Sequence, residues 1–365
     1  MSLPQPNRPP GPPASRLVAI WVPDWPVVAL TLDARRQRRH HRARQGDIHL
    51  PDPATEPVAV VGAHGVLAAA SAPARSTGIT TGMRLRTARS LCPGLIVLHP
   101  QEEREARAFE TVMEALTSLL ADPIVARPGL ALSGAKGPAA WAGGEDVLAE
   151  AVAQEADVEC QVGIADSLSG AVLAARQGII VEPGRTPDFL APWPLDSLLD
   201  CLSLRRLRRD ARPLLETFAR LGLRTLADLA SLPRKDVAAR FGLMGEQLHR
   251  LAAGTHHEAP AMTRPAQDIV VTSTLDPPVE RADTAAFAAR HLAETLAARL
   301  LSEGLTVGRL AIEARCADGA ELVRTWMLET TPTTMELTDR VRWQLEGWLS
   351  GRSGRPPSSG LTHLS

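Results

Sequence analysis

The chain has 365 residues, enough for two to four compact units, because a single hydrophobic core rarely grows to that size. The hydrophobic fraction of 44% is typical of a globular protein, and no apolar run approaches the roughly 18 residues that a membrane helix needs, which argues against a membrane protein. The formal net charge of −1 gives no general attraction for nucleic acid, so any such contact must come from local basic patches.

The N-terminal residues 1–15 are rich in proline and have neither the basic start nor the apolar centre of a signal peptide. We therefore predict a disordered tail and a cytoplasmic protein. The four cysteines are widely separated and form no CxxC pair, so the sequence predicts neither a disulfide framework nor a zinc site.

The first ordered element is predicted to be an apolar strand over residues 16–22, stopped by Pro23. A basic run follows at residues 35–44; its composition is typical of a solvated loop, with contact to DNA or phosphate as the alternative. The next segments alternate between strand and helix patterns. Strands are predicted over 57–62, 95–98, 130–132 and 159–164, and helices over 102–120, 145–155 and 168–176. This alternation favours an α/β or split βαβ sheet.

Residues 192–254 contain short helical patterns broken by glycine and proline, and no good strand. At their centre, Gly222 is flanked by Leu221 and Leu223, and Thr225 begins a helix with an acid three residues later. Two interpretations remain open. The segment is either an ordinary tight helix pair or a helix-hairpin-helix whose backbone amides bind a DNA phosphate without reading bases.

Residues 255–267 are predicted to be a linker, because they are polar and contain proline. The remaining chain has the order strand, helix, strand, strand, helix, with elements predicted over 269–274, 284–302, 306–315, 321–328 and 334–349. An open antiparallel sheet with two helices on one face fits this order but calls for one further strand. We expect that last strand to be missing, and the unit to be truncated.

Several segments together resemble the Y-family, or translesion, DNA polymerases. Residues 160–171, CQVGIADSLSGA, resemble the palm segment S-x-G-I-A-x-N-K-x-x-A. Residues 70–83 resemble the fingers motif Y-E-A-R…G-V-x-x-G-M. The hairpin around Gly222, with Gly242 and Gly245 downstream, resembles the thumb, and the C-terminal unit resembles the little finger. The resemblance spans about 330 residues, and the order and spacing of the segments carry it.

The resemblance implies an α+β fold with the right-hand architecture of these polymerases. The palm would comprise residues 16–33 and 94–191, and the fingers residues 34–93. The thumb would comprise residues 192–254, and a little finger without its last strand residues 268–365. DNA contact in the thumb is implied for seven residues: Leu221, Gly222, Leu223, Arg224, Thr225, Gly242 and Gly245.

Y-family polymerases hold two Mg²⁺ ions with carboxylates, which activate the primer hydroxyl and neutralise the triphosphate. At the first carboxylate position this chain has Pro23, or Asp24 if the alignment shifts by one residue. At the second position both acids are replaced, by Gly129 and Leu130.

The nucleotide-binding residues of the family are also mostly absent. Ala72 stands in place of the fingers tyrosine and Leu168 in place of the palm lysine, whereas Arg75 is retained. We therefore predict no catalytic residue, no metal and no cofactor, and no enzymatic activity.

This pattern resembles the ImuB family, the catalytically inactive Y-family members of the bacterial mutasome. The resemblance implies a DNA-binding scaffold in error-prone translesion synthesis and SOS mutagenesis. Its implied partners are primer-template DNA, a DnaE-type polymerase, a RecA-like accessory protein and the sliding clamp. Two alternatives remain: an active translesion polymerase with a divergent metal site, and a helix-hairpin-helix DNA-binding protein of another repair pathway.

In that family the clamp-binding motif lies beyond the little finger, so we expect it to be missing here. Residues 344–349, QLEGWL, mimic the motif. Their apolar spacing is that of a helix, whereas clamp-binding peptides are extended, so we predict a helix rather than a clamp site.

Overall fold

A computed structural model describes residues 16–41, 51–255, 269–305, 307–349 and 357–365. Contacts divide the chain into two compact units. The first comprises Met1–Ala19, Ser133–Ala149 and Val162–Met262, and the second comprises Ile20–Leu132, Glu150–Gln161 and Thr263–Ser365. Within the described residues, no helix is both long enough and apolar enough to cross a membrane.

The strands are, in chain order, β1 (Leu17–Trp21), β2 (Val58–Val61), β3 (Leu67–Ala70), β4 (Ile96–Leu98), β5 (Ile124–Arg127), β6 (Leu130–Gly134), β7 (Gln161–Ala165), β8 (Ser273–Val279), β9 (Arg309–Cys316), β10 (Glu321–Met327) and β11 (Leu361–Leu364). The helices are α1 (Trp25–His41), α2 (Ala72–Ser76), α3 (Leu85–Leu91), α4 (Glu102–Leu116), α5 (Lys136–Ala142), α6 (Glu145–Glu155), α7 (Leu168–Ala175), α8 (Thr186–Leu190), α9 (Arg205–Arg220), α10 (Leu226–Ala230), α11 (Arg234–Ala252), α12 (Ala282–Glu303) and α13 (Thr334–Leu349). Two 3₁₀ turns lie at Ala63–Gly65 and Leu195–Cys201. The fold class is α+β, as the sequence predicts.

The first unit is mainly helical, and its tight contacts depend on glycine. A Cβ on Gly163 in β7 would lie 1.9 Å from the amide nitrogen of Ala175 at the end of α7, so only glycine lets this strand and helix approach so closely. The later helices α9, α10 and α11 form the predicted helical region, and no strand occurs among residues 192–254, as expected.

The second unit contains two sheets. Six of its strands are hydrogen-bonded in the order β6-β5-β10-β9-β11-β8, and a smaller sheet has the order β3-β2-β4. All neighbours in the six-stranded set are antiparallel except β5 and β10, which pair in parallel through Thr325 with Ile124 and Trp326 with Val125. Strand β9 alternates strictly between exposed and buried side chains, the period-2 pattern of a strand with one face on a core.

The predicted absence of a last strand is wrong. Leu361–Leu364 forms β11, which lies between β8 and β9 and completes a β-α-β-β-α-β order. The strand is only four residues long and follows a segment rich in glycine, proline and serine, so the sequence carries little periodic signal for it.

The structure differs from the predicted elements at three further places. The basic run was expected to be a loop, but α1 continues through His41; Arg42 and Arg44 lie outside the described residues. Strand β5 was not predicted at all. Strand β8 begins at Ser273 rather than near residue 269, and it includes two prolines that argue against a strand interior. The predicted linker lies almost wholly outside the described residues.

Candidate active-site positions and nucleic-acid interface

Gly129 and Leu130, the residues predicted to stand at the second carboxylate position, lie at the turn between β5 and β6, where an aromatic ring fills the space beside Gly129. Gly129 has a positive φ of 86°, and its carbonyl accepts a 2.9 Å hydrogen bond from the amide of Val22. A Cβ at this position would lie 2.5 Å from Cβ of Trp25 and 2.8 Å from its Cγ. Leu130, the next residue, is buried at the start of β6. Neither position can bear a carboxylate without rearrangement.

Trp25 is held firmly at that place. It begins α1, it is buried, and its indole N–H donates a 3.0 Å hydrogen bond to the carbonyl of Glu105 in α4. Its ring packs edge-to-face on Phe109, with ring centroids 5.0 Å apart. A side chain at residue 129 would therefore have to displace a packed and hydrogen-bonded tryptophan. No pattern in the sequence indicates this role of Trp25, because it depends on contacts between distant segments.

Asp24, which a one-residue shift of the alignment would place at the predicted first carboxylate position, is bonded by residues 70–81 and is not left open to a cation. Its φ is 50°, and its carboxylate accepts a 3.0 Å hydrogen bond from the amide of Ala70 and a 3.3 Å one from the Thr81 hydroxyl. The same carboxylate forms an ion pair with Arg75, which also donates to the carbonyl of Ala70. Pro23, which the unshifted alignment places at this position, has no carboxylate to offer.

The other two residues predicted to mark a former nucleotide site, Ala72 and Leu168, supply no polar side-chain group. Ala72 is exposed at the first residue of α2, and its methyl group cannot hydrogen-bond a phosphate. Leu168 is buried at the first residue of α7 in the other unit. Among the described residues, no group of three or more His, Cys, Asp or Glu side chains is placed to hold a metal ion.

Residues 160–171, predicted to be a palm segment, are organised around the buried acid Asp166. Asp166 accepts a 3.0 Å hydrogen bond from the guanidinium of Arg16, and its other oxygen accepts hydrogen bonds from the Gly184 amide and the Thr186 hydroxyl. Arg16 also pairs with Glu145. These contacts tie the start of β1 and the loop after α7 to β7, so Asp166 has a structural role in the first unit.

The hairpin of residues 221–225 joins α9 to α10, and its backbone amides are already in use. The amides of Arg224 and Thr225 both donate to one carboxylate oxygen of Asp228, at 2.8 and 2.9 Å. The amides of Gly222 and Leu223 donate to carbonyls of α9. Thr225 and Asp228 form a reciprocal capping box at the start of α10. The hairpin therefore offers none of these amides to a phosphate without first breaking an internal bond.

Asp228 is a carboxylate held in its charged form at the tip of this hairpin. Hydrogen bonds from the amides of Arg224 and Thr225, followed by that from the Thr225 hydroxyl, lower the pKa of Asp228 below its usual value. A phosphate approaching these amides would meet a negative charge. The sequence carried the signal for this arrangement, because the Thr-x-x-Asp pattern of a capping box is visible in it.

Gly242 and Gly245, the other two glycines predicted to contact DNA, lie within α11. Gly242 has φ 64° and ψ −160°, which interrupts the helix between Phe241 and Leu243. A Cβ on Gly245 would lie 2.5 Å from Cβ of Phe241, and Phe241 packs edge-to-face on Phe218 of α9 with centroids 4.9 Å apart. Both glycines thus serve the bend and the packing of α11 against α9, and the bend starts a new helical segment at Leu243.

Residues 344–349, which mimic a clamp-binding peptide, are part of the hydrophobic core of the second unit. Gln344, Leu345 and Trp348 are all buried in α13. The amide oxygen of Gln344 accepts a 3.0 Å hydrogen bond from the indole of Trp326, and the indole of Trp348 donates to Glu110. The helix predicted over residues 334–349 is confirmed, and these side chains are not presented on an extended segment.

Comparison with known proteins places the sequence near DNA polymerases. Residues 44–176 match the impB/mucB/samB family. The chain is 26% identical to the DNA polymerase IV of Pseudomonas paraeruginosa over 219 residues, which cover 58% of this chain and 61% of that protein. It is 27% identical to the DNA polymerase IV of Dehalococcoides mccartyi over 288 residues, covering 75% and 71% of the two chains. The match to the DNA polymerase IV proteins of Pseudomonas paraeruginosa and Pseudomonas aeruginosa thus spans less than two thirds of their length.

Among solved structures, the chain is similar to a ternary complex of Dbh, with 14% identity, coverage of 96% and 97% of the two chains, and a TM-score of 0.46. It is also similar to DinB from Sulfolobus solfataricus, with 13% identity, the same coverages and a TM-score of 0.41.

Proposed function

We propose that this chain is a non-catalytic, Y-family polymerase-like DNA-binding protein of error-prone translesion synthesis. The observation that carries the proposal is Trp25 packed against Gly129, because it fills the space of a metal-binding carboxylate. A hard cation such as Mg²⁺ is held mainly by carboxylate oxygens and has no such ligand at residues 129 and 130. The impB/mucB/samB match and the DNA polymerase IV relatives support the polymerase-like part of the proposal.

The engagement of Asp24 supports the same proposal from the nucleotide side. In the polymerases that this chain resembles, Arg75 would face the triphosphate; here its guanidinium is neutralised by a carboxylate of the same chain. Asp24 therefore acts as an internal substitute for the anion that the site would otherwise bind. Losing both the metal ligands and the free arginine removes the two main sources of positive charge that phosphoryl transfer requires.

We further propose that the protein works as an ImuB-like scaffold in the cytoplasm, recruiting a DnaE-type polymerase and a RecA-like accessory protein to primer-template DNA. DNA contact is assigned to the thumb residues 192–254 and the C-terminal unit. Contact with the sliding clamp is not assigned to residues 344–349, because burial of Gln344, Leu345 and Trp348 makes them part of the core. The names of the relatives favour a second candidate, an active translesion polymerase with a divergent metal site.

Primer extension separates the two candidates. We expect the purified protein to incorporate no nucleotide with Mg²⁺ or Mn²⁺, and to shift the same primer-template in a DNA-binding assay. An active DNA polymerase IV serves as the positive control on identical substrates. Metal-dependent incorporation that co-purifies with the protein through successive columns would establish the active-polymerase candidate instead. Failure to bind any DNA at low salt would contradict the DNA-binding scaffold.

Releasing Arg75 should raise the affinity for nucleoside triphosphates. We expect Asp24→Asn to strengthen dNTP binding about 5-fold, the equivalent of about 1 kcal/mol for a partly exposed charged contact. Calorimetric or NMR titration with a dNTP measures the change. The double variant Asp24→Asn with Arg75→Gln should lose the gain.

A matched control for the Asp24 variant is available on the hairpin of β9 and β10. Arg315 and Glu321 form an exposed ion pair there, with their nitrogen and oxygen 2.9 Å apart. Glu321→Gln releases an arginine in the same way but at an unrelated place. If Glu321→Gln raises dNTP affinity as much as Asp24→Asn does, the effect is one of overall charge, and the assignment of Arg75 to a nucleotide-site remnant is wrong.

A further inference from the structure

Three arginines lie on and beside α3 with their side chains exposed. Arg84 is the cap residue that precedes the helix, and Arg86 and Arg89 lie within it. We call these three residues the α3 arginine cluster. The other side of the helix is packed, because Ala88 is buried in the core beside β2 and β3 and Leu85 packs against that core. The cluster therefore lies on a helix that is anchored in the second unit.

The cluster differs from the other exposed arginines of the second unit in having no internal partner. Among the residues that the structure describes, none of its three guanidinium groups forms a hydrogen bond or an ion pair. The remaining exposed arginines of that unit whose side chains are described all interact with other groups of the chain: Arg75, Arg281, Arg290, Arg299, Arg309 and Arg315. Unpaired guanidinium charge in the described part of this unit is thus concentrated at one place.

The surrounding sequence contains nothing that neutralises the cluster. Residues 57–101 include four arginines and no Asp, Glu or Lys, a formal charge of +4 in a chain whose net charge is −1. The fourth of these arginines, Arg75, is paired with Asp24. The excess positive charge of this segment therefore comes from the α3 arginine cluster.

Local helix stability explains only one member of the cluster. Arg89 lies in the last turn of α3, where the helix dipole favours a positive side chain. Arg84 and Arg86 lie at the start of the helix, where the dipole favours a negative one. The first turn contains no acid, and Arg84 provides no side-chain hydrogen bond as a cap. The two arginines at the helix start are thus not there to stabilise α3.

The exposed side of α3 offers hydrogen-bond donors and no carboxylate. Thr87 and Ser90 are exposed on the same helix as the arginines. A guanidinium group only donates hydrogen bonds, and a hydroxyl group can donate one. Arginine, serine and threonine are side chains that contact DNA phosphates. The chemistry of this surface therefore matches a phosphate-bearing polyanion.

The cluster adjoins residues that were predicted to mark a former nucleotide site. The Thr81 hydroxyl donates a 3.3 Å hydrogen bond to Asp24, and Arg84 follows Thr81 by three residues, a reach of at most about 11 Å. The backbone between them is fixed to β3, because the Leu67 amide donates a 2.9 Å hydrogen bond to the carbonyl of Met83. In a polymerase-like protein the nucleotide site lies at the primer end, so the template beyond it is unpaired.

We propose that the α3 arginine cluster binds the phosphate backbone of the single-stranded template beyond the primer end. From Arg84 to Arg89 the helix rises about 7.5 Å. One DNA strand carries a phosphate about every 3.4 Å, so the cluster matches roughly three consecutive phosphates of one strand. It is too short to bridge a major groove of about 12 Å, which keeps the contact on a single strand. The proposal rests on the DNA-binding function proposed above and adds a site and a strand to it.

The residue types around the cluster favour contact with the backbone of DNA over contact with bases or with a protein. Residues 57–101 contain no Phe, Trp or Tyr, so they supply no ring on which a base could stack. Protein interfaces centre on buried aromatic or aliphatic side chains. Among the described residues of this segment, Leu91 alone is large, apolar and exposed. Binding is therefore independent of base sequence.

The test removes the cluster in R84Q/R86Q/R89Q and follows DNA binding by fluorescence anisotropy across a salt titration. Two labelled DNAs are compared: a primer-template with a 5′ single-stranded extension, and a blunt duplex as long as its paired part. On the extended DNA the variant should bind at least about 10-fold more weakly at about 0.1 M salt. Its slope of log affinity against log salt should fall by about 1.5 to 2, because each lost single-strand contact removes about 0.7. On the blunt duplex its affinity should change by less than about 2-fold.

Two further variants serve as controls. R281Q/R290Q/R299Q removes three exposed arginines on and beside α12 in the same unit and changes the net charge equally, but each of these arginines is paired with a carboxylate. It should keep the parent slope on both DNAs. R84K/R86K/R89K retains the charge of the cluster and should keep most of the slope, which separates loss of charge from loss of fold.

The outcomes distinguish failure of the cluster from failure of the proposed function. An unchanged slope in the glutamine variant, an equal loss in the α12 variant or an equal loss on the blunt duplex would overturn the template site. If the parent still binds DNA, the proposed function stands. A lysine variant as weak as the glutamine variant would also overturn the site, since its charge is retained. Absence of DNA binding by the parent would overturn both proposals. Equal competition by polyglutamate of matched charge would assign the cluster to an acidic protein instead of DNA.

Discussion

Replacing Glu110 with alanine should lower the free energy of unfolding by about 3 to 5 kcal/mol, because it leaves a buried guanidinium without its counter-ion. Arg324 donates to Glu110 at 2.7 Å from Nη2 and 3.1 Å from Nε, and both residues are buried. The indole of Trp348 donates to the same carboxylate at 3.1 Å. The three residues belong to α4, β10 and α13, so the carboxylate joins the C-terminal strands and helix to the earlier part of the second unit.

Urea unfolding followed by tryptophan fluorescence measures this effect, because Trp348 contacts Glu110 directly. Glu321→Ala is the matched control: Glu321 lies on the same strand as Arg324 but pairs with Arg315 in the exposed position, so its loss should cost less than about 1 kcal/mol. Glu110→Leu combined with Arg324→Met should be less destabilising than Glu110→Ala, since no buried charge remains unpaired. A cost for Glu110→Ala no larger than that of the control would show that the pair is hydrated and contributes little.

The parallel pairing of β5 with β10 explains why the buried ion pair was not predictable. Glu110 and Arg324 are 214 residues apart, and Arg324 lies on β10, whose neighbour β5 has only four residues and no distinctive pattern. Strand β9 was easier to predict because its side chains alternate completely between exposed and buried. The bounds of α6 and α13 were predicted to the residue. Local periodicity therefore identified the long elements, whereas short strands are defined by the neighbours that they pair with.

In the candidate site, likewise, some features could be predicted from the sequence, whereas others depend on contacts that only the folded chain makes. The absence of acids at residues 129 and 130 could be predicted, because the residue types there are read directly from the sequence. The role of Trp25 depends on a positive φ in a turn 104 residues away, which only the folded chain defines. The ion pair of Asp24 with Arg75 is likewise a contact between distant segments. The capping of the hairpin by Asp228 is local, and the sequence indicates it through Thr225 followed by an acid three residues later.

An acid introduced at residue 129 should destabilise the fold and should not restore a metal site. We expect Gly129→Asp to lower the free energy of unfolding by about 2 to 6 kcal/mol. Of this, about 1 to 3 kcal/mol comes from a positive φ that side chains rarely adopt, and about 1 to 3 kcal/mol from overpacking against Trp25. Denaturant unfolding measures the cost. The double variant Gly129→Asp with Leu130→Glu should in addition bury a carboxylate in the core, and it should extend no primer.

Comparing Gly129→Ala with Gly319→Ala separates the cost of the positive φ from the cost of overpacking against Trp25. Gly319 lies in the turn between β9 and β10 with φ 87°, nearly the 86° of Gly129, and no atom lies within 4 Å of the Cβ that alanine would add. Both alanine variants therefore place a side chain at nearly the same positive φ, and only that at residue 129 meets the Trp25 side chain at 2.5 Å. Gly129→Ala should be the more destabilising by about 1 to 3 kcal/mol. Equal losses of unfolding free energy in the two alanine variants would show that the Trp25 side chain moves aside readily. Metal-dependent nucleotide incorporation by the double acidic variant would show that residues 129 and 130 can still form a metal site.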